Sequence, residues 1–254
     1  MRILLLAGLL LVVVFVLSAR GHALGRRRRV LRGLRAAGHS PQPAAPAGLG
    51  GFDRLGGDPG EVLWHAHVAA PREAFICGLA SGPVVAWRSA RASRGALAIR
   101  PHAGEVWAVD LATGRYDRLA LIRAATLPAP YDALDLFLEM PDSAPLFFGT
   151  AIGEGCLNLR ARDLPFTFEY QDGWCRLRLD RLSFEDEADF RTALEAAARL
   201  EDALLADKPL LGPYRIEVDE VREARERRGR GPPRRVPICS LVIEPTPGSA
   251  EKHS

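Results

Sequence analysis

The first 35 residues constrain this chain most, because they join a long apolar run to a cluster of arginines. Residues 3–19 are seventeen positions without a charge or a proline. As a helix they would span about 26 Å, near the minimum for crossing a hydrocarbon core of roughly 30 Å. The run therefore predicts a single transmembrane helix over residues 1–19.

The arginines that follow this run predict its orientation. Seven arginines lie within the sixteen residues after it, whereas Arg2 alone precedes it. Basic residues next to a span mark its cytoplasmic side, where the inner leaflet is anionic. We therefore expect a single-pass protein of the cell (inner) membrane with its folded domain in the cytoplasm. The densest part of the cluster is Arg26, Arg27, Arg28 and Arg29.

A cleavable signal peptide is the alternative interpretation of the same residues. Arg2 supplies a minimal basic start, and Ala19 is a candidate cleavage position. Leu17 occupies the place where a small residue is preferred, and the downstream side is strongly basic, so a retained anchor is favoured. In the exported alternative, Cys156 and Cys175 could form a disulfide.

Charge is distributed unevenly along the chain. Residues 1–58 carry nine arginines and two aspartates, so with a total of +3 the remainder is net acidic. A basic collar on an acidic body favours a membrane surface and excludes a nucleic-acid partner. Residues 222–235 form a second basic segment, with seven arginines against two glutamates. We expect both segments to contact anionic lipid, or an acidic protein partner, through Arg26 to Arg29 and through Arg227, Arg228, Arg230, Arg234 and Arg235.

Composition divides the rest of the chain. Residues 20–60 are basic and then rich in Gly, Pro and Ala, which predicts a linker. Residues 61–245 are long enough for one folded domain, and residues 246–254 read as a disordered tail. Alternating apolar residues predict an antiparallel meander of strands over 62–68, 83–89, 96–100, 105–111 and 115–122. Further short strands are predicted over 134–140, 146–148, 156–161, 213–218 and 236–244.

The strongest local prediction is a hairpin over residues 166–179. Asp172 and Gly173 form a two-residue turn that fixes the register of the strands. One face is then apolar and the other polar, and the polar face is expected to lie in solvent. The predicted apolar pairs are Tyr170 with Cys175, Phe168 with Leu177 and Phe166 with Leu179, and the polar pairs are Glu169 with Arg176 and Thr167 with Arg178.

One amphipathic helix is predicted after this hairpin. Ser183 can cap it, Asp186 stands in the capping-box position, and Pro209 ends it. Apolar residues recur at three- and four-residue spacing from Phe190 to Leu204. The fold class is therefore α+β, with this helix packed on the apolar face of a mainly antiparallel sheet.

No motif in the sequence specifies a reaction. His65 and His67 have a spacing that a metal could use on one strand face, but a site needs further ligands, such as His102 or a cysteine. The cysteines lack paired spacing and are interpreted as buried thiols. We expect a binding or scaffolding domain without a cofactor rather than an enzyme. An enzyme with a His/Cys metal site is the alternative.

Overall fold

The fold is a large, mainly antiparallel sheet with helices packed on one face, which confirms the α+β class. The computed structural model describes residues 32–33, 35–36, 38–42, 63–69, 72–77, 84–102, 119–140, 142–182, 187–224 and 234–244. Its strands are β1 (Ser40–Gln42), β2 (Leu63–Ala69), β3 (Arg72–Cys77), β4 (Val84–Arg88), β5 (Ala96–Pro101), β6 (Leu119–Ile122), β7 (Leu134–Glu139), β8 (Phe166–Gln171), β9 (Trp174–Leu179), β10 (Tyr214–Ala224) and β11 (Arg234–Ile243). Helices α1 (Ala144–Phe148), α2 (Ile152–Ala161) and α3 (Glu187–Leu205) accompany them.

The described strands join in the order β1-β2-β3-β4-β9-β8-β5-β7-β6-β11-β10. Every pairing is antiparallel except that of β6 with β11, which is parallel and involves only Ile238 and Cys239 of β11. The predicted meander is wrong between β4 and β5. These strands follow each other in the chain, but the β8–β9 hairpin separates them in the sheet.

The predicted hairpin register is confirmed at all five predicted pairs. Its turn has positive φ at both central residues, 47° at Asp172 and 89° at Gly173. Such a turn matches the twist of the two strands that it connects. The hairpin therefore forms where local turn chemistry predicts it, although its neighbours in the sheet come from distant parts of the chain.

Helices α2 and α3 cover the apolar face of the central strands. Phe166, Phe168 and Leu177 lie in the same buried cluster as Ala193 and Leu200 of α3. The helix packs on the sheet as predicted, but it contacts mainly β2, β4 and α2, and it is α2 that contacts β5 and β8. The apolar residues at three- and four-residue spacing on α3 are the ones that enter the core. The predicted capping residues Ser183 and Asp186 lie outside the described residues.

Two predicted strands are helices. Residues 146–148 belong to α1, and residues 156–161 belong to α2. In α2 the buried residues Ile152, Cys156 and Leu159 recur at helical spacing and face the core. These stretches were predicted as strands because a short apolar run has the same hydrophobic pattern in a helix and in a buried strand.

The polar face of the β8–β9 hairpin is buried rather than solvent-facing. Glu169 is 2% exposed and Arg176 is 3% exposed. The prediction of a solvated face was therefore wrong here. Ala98 and Phe137, next to Glu169 across β5 and β7, belong to a second buried cluster on this face, so both faces of the central strands are removed from water.

Several predictions lie wholly or partly outside the described residues. These include the transmembrane helix, the strand over 105–111 and the C-terminal tail. Part of the predicted linker is described: Ser40–Gln42 pairs with β2. Beside this strand, the ring of His39 lies 5.2 Å from that of Phe190 on α3.

Candidate functional site

The candidate site is a two-stranded ribbon, β10 and β11, at one edge of the described sheet. The two strands pair at ten positions, from Tyr214 opposite Ile243 to Ala224 opposite Arg234. The register shifts between Val218 and Glu220, so Asp219 is an extra residue in β10. Such a β-bulge bends the strand and changes the direction of the side chains that follow.

The structure places part of the predicted basic segment on this ribbon. Arg234 and Arg235 are the first residues of β11, opposite Ala224 and Glu223. Arg235 is exposed. The other predicted arginines, Arg26, Arg27, Arg28, Arg29, Arg227, Arg228 and Arg230, lie outside the described residues. Residues 225–233 connect the two strands in the chain, so their attachment points are the ends of β10 and β11.

Arg123 ties the base of the ribbon to the rest of the sheet. Its Nε donates to Asp219 Oδ2 at 2.9 Å, and its Nη2 donates to Glu220 Oε1 at 3.0 Å. Ser240 Oγ also donates to Asp219, at 2.6 Å. Arg222 Nη2 lies 2.7 Å from Glu220 Oε1. Both acids of the bulge are thus bound to arginines.

These contacts change the acidity of the two carboxyl groups. The hydrogen bond from Ser240, together with Arg123, holds the pKa of Asp219 below its usual value. The neighbouring Arg222 and then Arg123 lower the pKa of Glu220. A hydrogen bond or a positive charge stabilises the ionised carboxylate. The sequence analysis missed this cluster because Arg123 is about a hundred positions away from its partners.

A second polar cluster lies on the sheet face opposite the helices. Asp135 is 4% exposed, and its two oxygens contact Arg100 Nε at 3.0 Å and His102 Nδ1 at 2.6 Å. The Arg100 guanidinium also lies 5.3 Å from the centre of the Phe137 ring. The sequence analysis did not identify this cluster. Its local signal is an aspartate inside the apolar strand Leu134–Glu139, since a buried carboxylate needs partners.

This cluster continues across the face as a buried ion pair. Arg176 Nη1 and Glu169 Oε2 are 3.6 Å apart. A pair with so little exposure contributes little net stability, because both charges have left water. Nothing in this row of side chains resembles a nucleophile with its base.

The predicted metal candidates are far apart in the sheet. His65 and His67 belong to β2, whereas His102 follows β5. Five strand positions separate β2 from β5, which corresponds to about 24 Å along the sheet. Among the described residues, no group of three or more metal-ligating side chains is present. The sheet order therefore does not place His102 beside the strand of His65 and His67.

The cysteines of the described core are free thiols. Cys156 lies on α2, Cys175 on β9 and Cys239 on β11, and all three are buried. Burial raises the pKa of Cys156 and of Cys175 well above the usual value. A nucleophile or metal ligand must be a thiolate, so these thiols are suited to packing rather than chemistry.

Comparison with known proteins gives no family for this chain. No family model matches it, and no curated protein matches it. Among solved structures, it is similar to the mycobacterial trehalose monomycolate transport factor A, TtfA, with a TM-score of 0.49 and 12% identity. The alignment covers 74% of this chain and 99% of that chain. A likeness at this level identifies neither a family nor a function.

In the part of the chain that the structure describes, no helix is long and apolar enough to cross a bilayer. Residues 3–19, on which the sequence prediction rests, are not among the residues described.

Proposed function

We propose that this chain is a single-pass, membrane-anchored protein whose α+β domain faces the cytoplasm and serves to bind or scaffold rather than to catalyse. The apolar run at residues 3–19 supplies the anchor, and Arg26 to Arg29 supply the first contact with anionic headgroups. The buried cysteines and the separated histidines favour this function over an enzyme with a His/Cys metal site.

The observation that carries the proposal is the position of the second basic segment. Arg234 and Arg235 begin β11 near the edge of the described sheet, and residues 225–233 join β10 to β11 in the chain. The acids at the base of the ribbon, Asp219 and Glu220, are already bound to Arg123 and Arg222. Each arginine close to an anionic surface contributes on the order of 1 kcal/mol, so the excess of arginine in residues 222–235 would favour contact with such a surface.

Membrane attachment and orientation can be tested with the full chain. The chain should remain in the membrane fraction after a carbonate wash. A fluorescent-protein fusion at the C-terminus should be bright, and an alkaline phosphatase fusion there should be inactive. Phosphatase activity would overturn the cytoplasmic orientation, and release of the chain by carbonate would overturn the anchor.

Contact between the ribbon and the bilayer can be tested by energy transfer. The full chain carries a donor dye at Glu217→Cys and is reconstituted in vesicles with acceptor-labelled lipid. Transfer should be higher in anionic vesicles than in zwitterionic ones and should fall with salt, because the contact is electrostatic. Replacing Arg227, Arg228, Arg230, Arg234 and Arg235 by Gln should abolish the difference between the vesicles. If the chain with its native arginines gave equal energy transfer in anionic and zwitterionic vesicles, the proposed contact would be contradicted.

A further inference from the structure

The distal half of the ribbon has an uncovered apolar face. Val218 is 61% exposed and Val221 is 55% exposed, and they are the two most exposed large apolar residues of the described chain. Val218 pairs with Cys239 and Val221 pairs with Pro237. Cys239 and Pro237 are two positions apart on β11, so the two valines lie on the same face.

The bulge at Asp219 creates this arrangement. In a regular strand, residues three apart point to opposite faces. The extra residue reverses this relation, so Val218 and Val221 share a face although they are three positions apart. Glu220 pairs with Ile238, whose side chain lies on the other face of β11.

The same bulge determines which face of the ribbon each charged side chain occupies. Asp219 contacts Ser240, which is on the face of Ile238, and Glu220 contacts Arg222 on that face. The face of the valines therefore carries neither acid of the bulge. Its charged pair is Glu223 opposite Arg235, at the end where the arginine-rich residues 225–233 begin.

From this geometry we infer that Val218, Val221 and Pro237 enter the headgroup region of an anionic phospholipid bilayer while Arg235, on the same face, contacts its phosphates. The inference rests on the proposed membrane-facing function and names the surface that touches the lipid. The lipid is favoured as the occupant because Arg235 lies on this face, and because the sequence of residues 222–235 holds seven arginines against two glutamates. Apolar burial combined with contact between cations and anionic lipid is how an interfacial segment binds a bilayer.

A dye that reports polarity tests the insertion directly. The full chain, labelled with such a dye at Val221→Cys, is reconstituted in vesicles of roughly 70% phosphatidylcholine and 30% phosphatidylglycerol. The matched control is the dye at Glu217→Cys, on the opposite face of the same strand. A second control is the chain without either substitution, treated with the same dye, which shows whether the native cysteines become labelled. Emission at position 221 should shift to the blue and be quenched by lipids with a quencher in the upper acyl chain, and emission at position 217 should not.

A second pair of variants measures the contribution of the valines. Val218→Thr with Val221→Thr keeps the branched shape but adds two hydroxyls, so the ribbon should fold normally. The docking equilibrium, measured by energy transfer from position 217, should weaken about tenfold. Val242→Thr, on the opposite face of the ribbon, should leave it unchanged.

The outcomes distinguish this inference from the proposed function. If the ribbon approaches anionic vesicles but position 221 stays polar, the apolar face does not insert and the inference is overturned while the proposed function stands. If no approach occurs, both the ribbon contact and the inference fail. A blue shift at position 221 that depends on protein density rather than on anionic lipid would identify a second copy as the occupant, and it would also overturn the inference.

Discussion

Glu201 joins α3 to the sheet, and its replacement gives the most quantitative prediction about this fold. Its side chain accepts hydrogen bonds from Trp87 Nε1 at 2.9 Å, from Ser89 Oγ at 3.1 Å and from the backbone nitrogen of Ala90 at 2.8 Å. The residue is only 2% exposed. Both carboxylate oxygens therefore face donors in a buried site.

Glu201→Gln replaces one of these oxygens by an amide group that can only donate. When the amide faces Trp87, two N–H donors oppose each other away from water. One buried unsatisfied polar group costs about 1–3 kcal/mol, so the free energy of unfolding should fall by about that amount. The exposed residue Glu195 is the matched control on the same helix. Its ion pair with Arg199 spans 3.8 Å at the surface, and Glu195→Gln should therefore change stability by less than about 0.5 kcal/mol.

A double-mutant cycle tests the cause of this loss. Trp87→Phe removes the opposing donor, so the double variant should be more stable than the sum of the single effects predicts, by about 1–2 kcal/mol. Urea unfolding of a fragment that begins at Arg32, followed by far-ultraviolet circular dichroism, gives the three values. Strict additivity, or a Glu201→Gln variant as stable as the Glu195→Gln control, would refute the reasoning.

Three further predictions concern the acidity and backbone of other residues. Ser240→Ala should raise the pKa of Asp219 towards its usual value, since the Ser240 hydroxyl is the largest cause of the lowering; an unchanged midpoint in a carboxyl NMR titration would contradict this. Burial raises the pKa of Cys156 and Cys175, so alkylation at about pH 8 should be at least about tenfold slower in the folded than in the unfolded chain. Because the folded state keeps these protons, their contribution to stability is complete below the unfolded thiol pKa of about 8.5 and declines at higher pH. Gly173→Ala should cost about 1 kcal/mol in urea unfolding, because φ is 89° there; a more stable variant would show that the turn does not require this conformation.

The local elements of the fold were predictable because their signals lie in short stretches of sequence. Asp172 and Gly173 define a turn, and the residues on either side alternate in agreement with it. The apolar spacing of α3 likewise predicts which residues enter the core. In both cases propensity, pattern and tertiary packing favour the same structure.

The arrangement of these elements depends on pairings that a single sequence does not show. Glu169 and Arg176 form a polar pair that is typical of a solvated strand face, yet they are buried at the centre of a wide sheet. The buried neighbours of Glu169 on this face, Ala98 and Phe137, come from β5 and β7, and no local pattern of the hairpin encodes that neighbourhood.

The ribbon was predicted only in part for a similar reason. Its two strands and its basic connection follow from composition, but the apolar face does not. The bulge at Asp219 places Val218 and Val221 on one face, whereas simple alternation places them on opposite faces. A bulge depends on the partner strand, so β10 alone does not reveal it.

The central position of the β8–β9 hairpin also determines the order in which the sheet can be completed during synthesis. The strands before it form two groups, β1 to β4 and β5 with β6 and β7, and in the described sheet these groups meet only through the hairpin. A ribosome that has released residues up to Glu139 therefore holds two half-sheets with open edges. Open strand edges promote wrong pairing and aggregation. The edges of β4 and β5 are thus covered only after Leu179 leaves the exit tunnel, and the edge of β6 stays open until β11 follows.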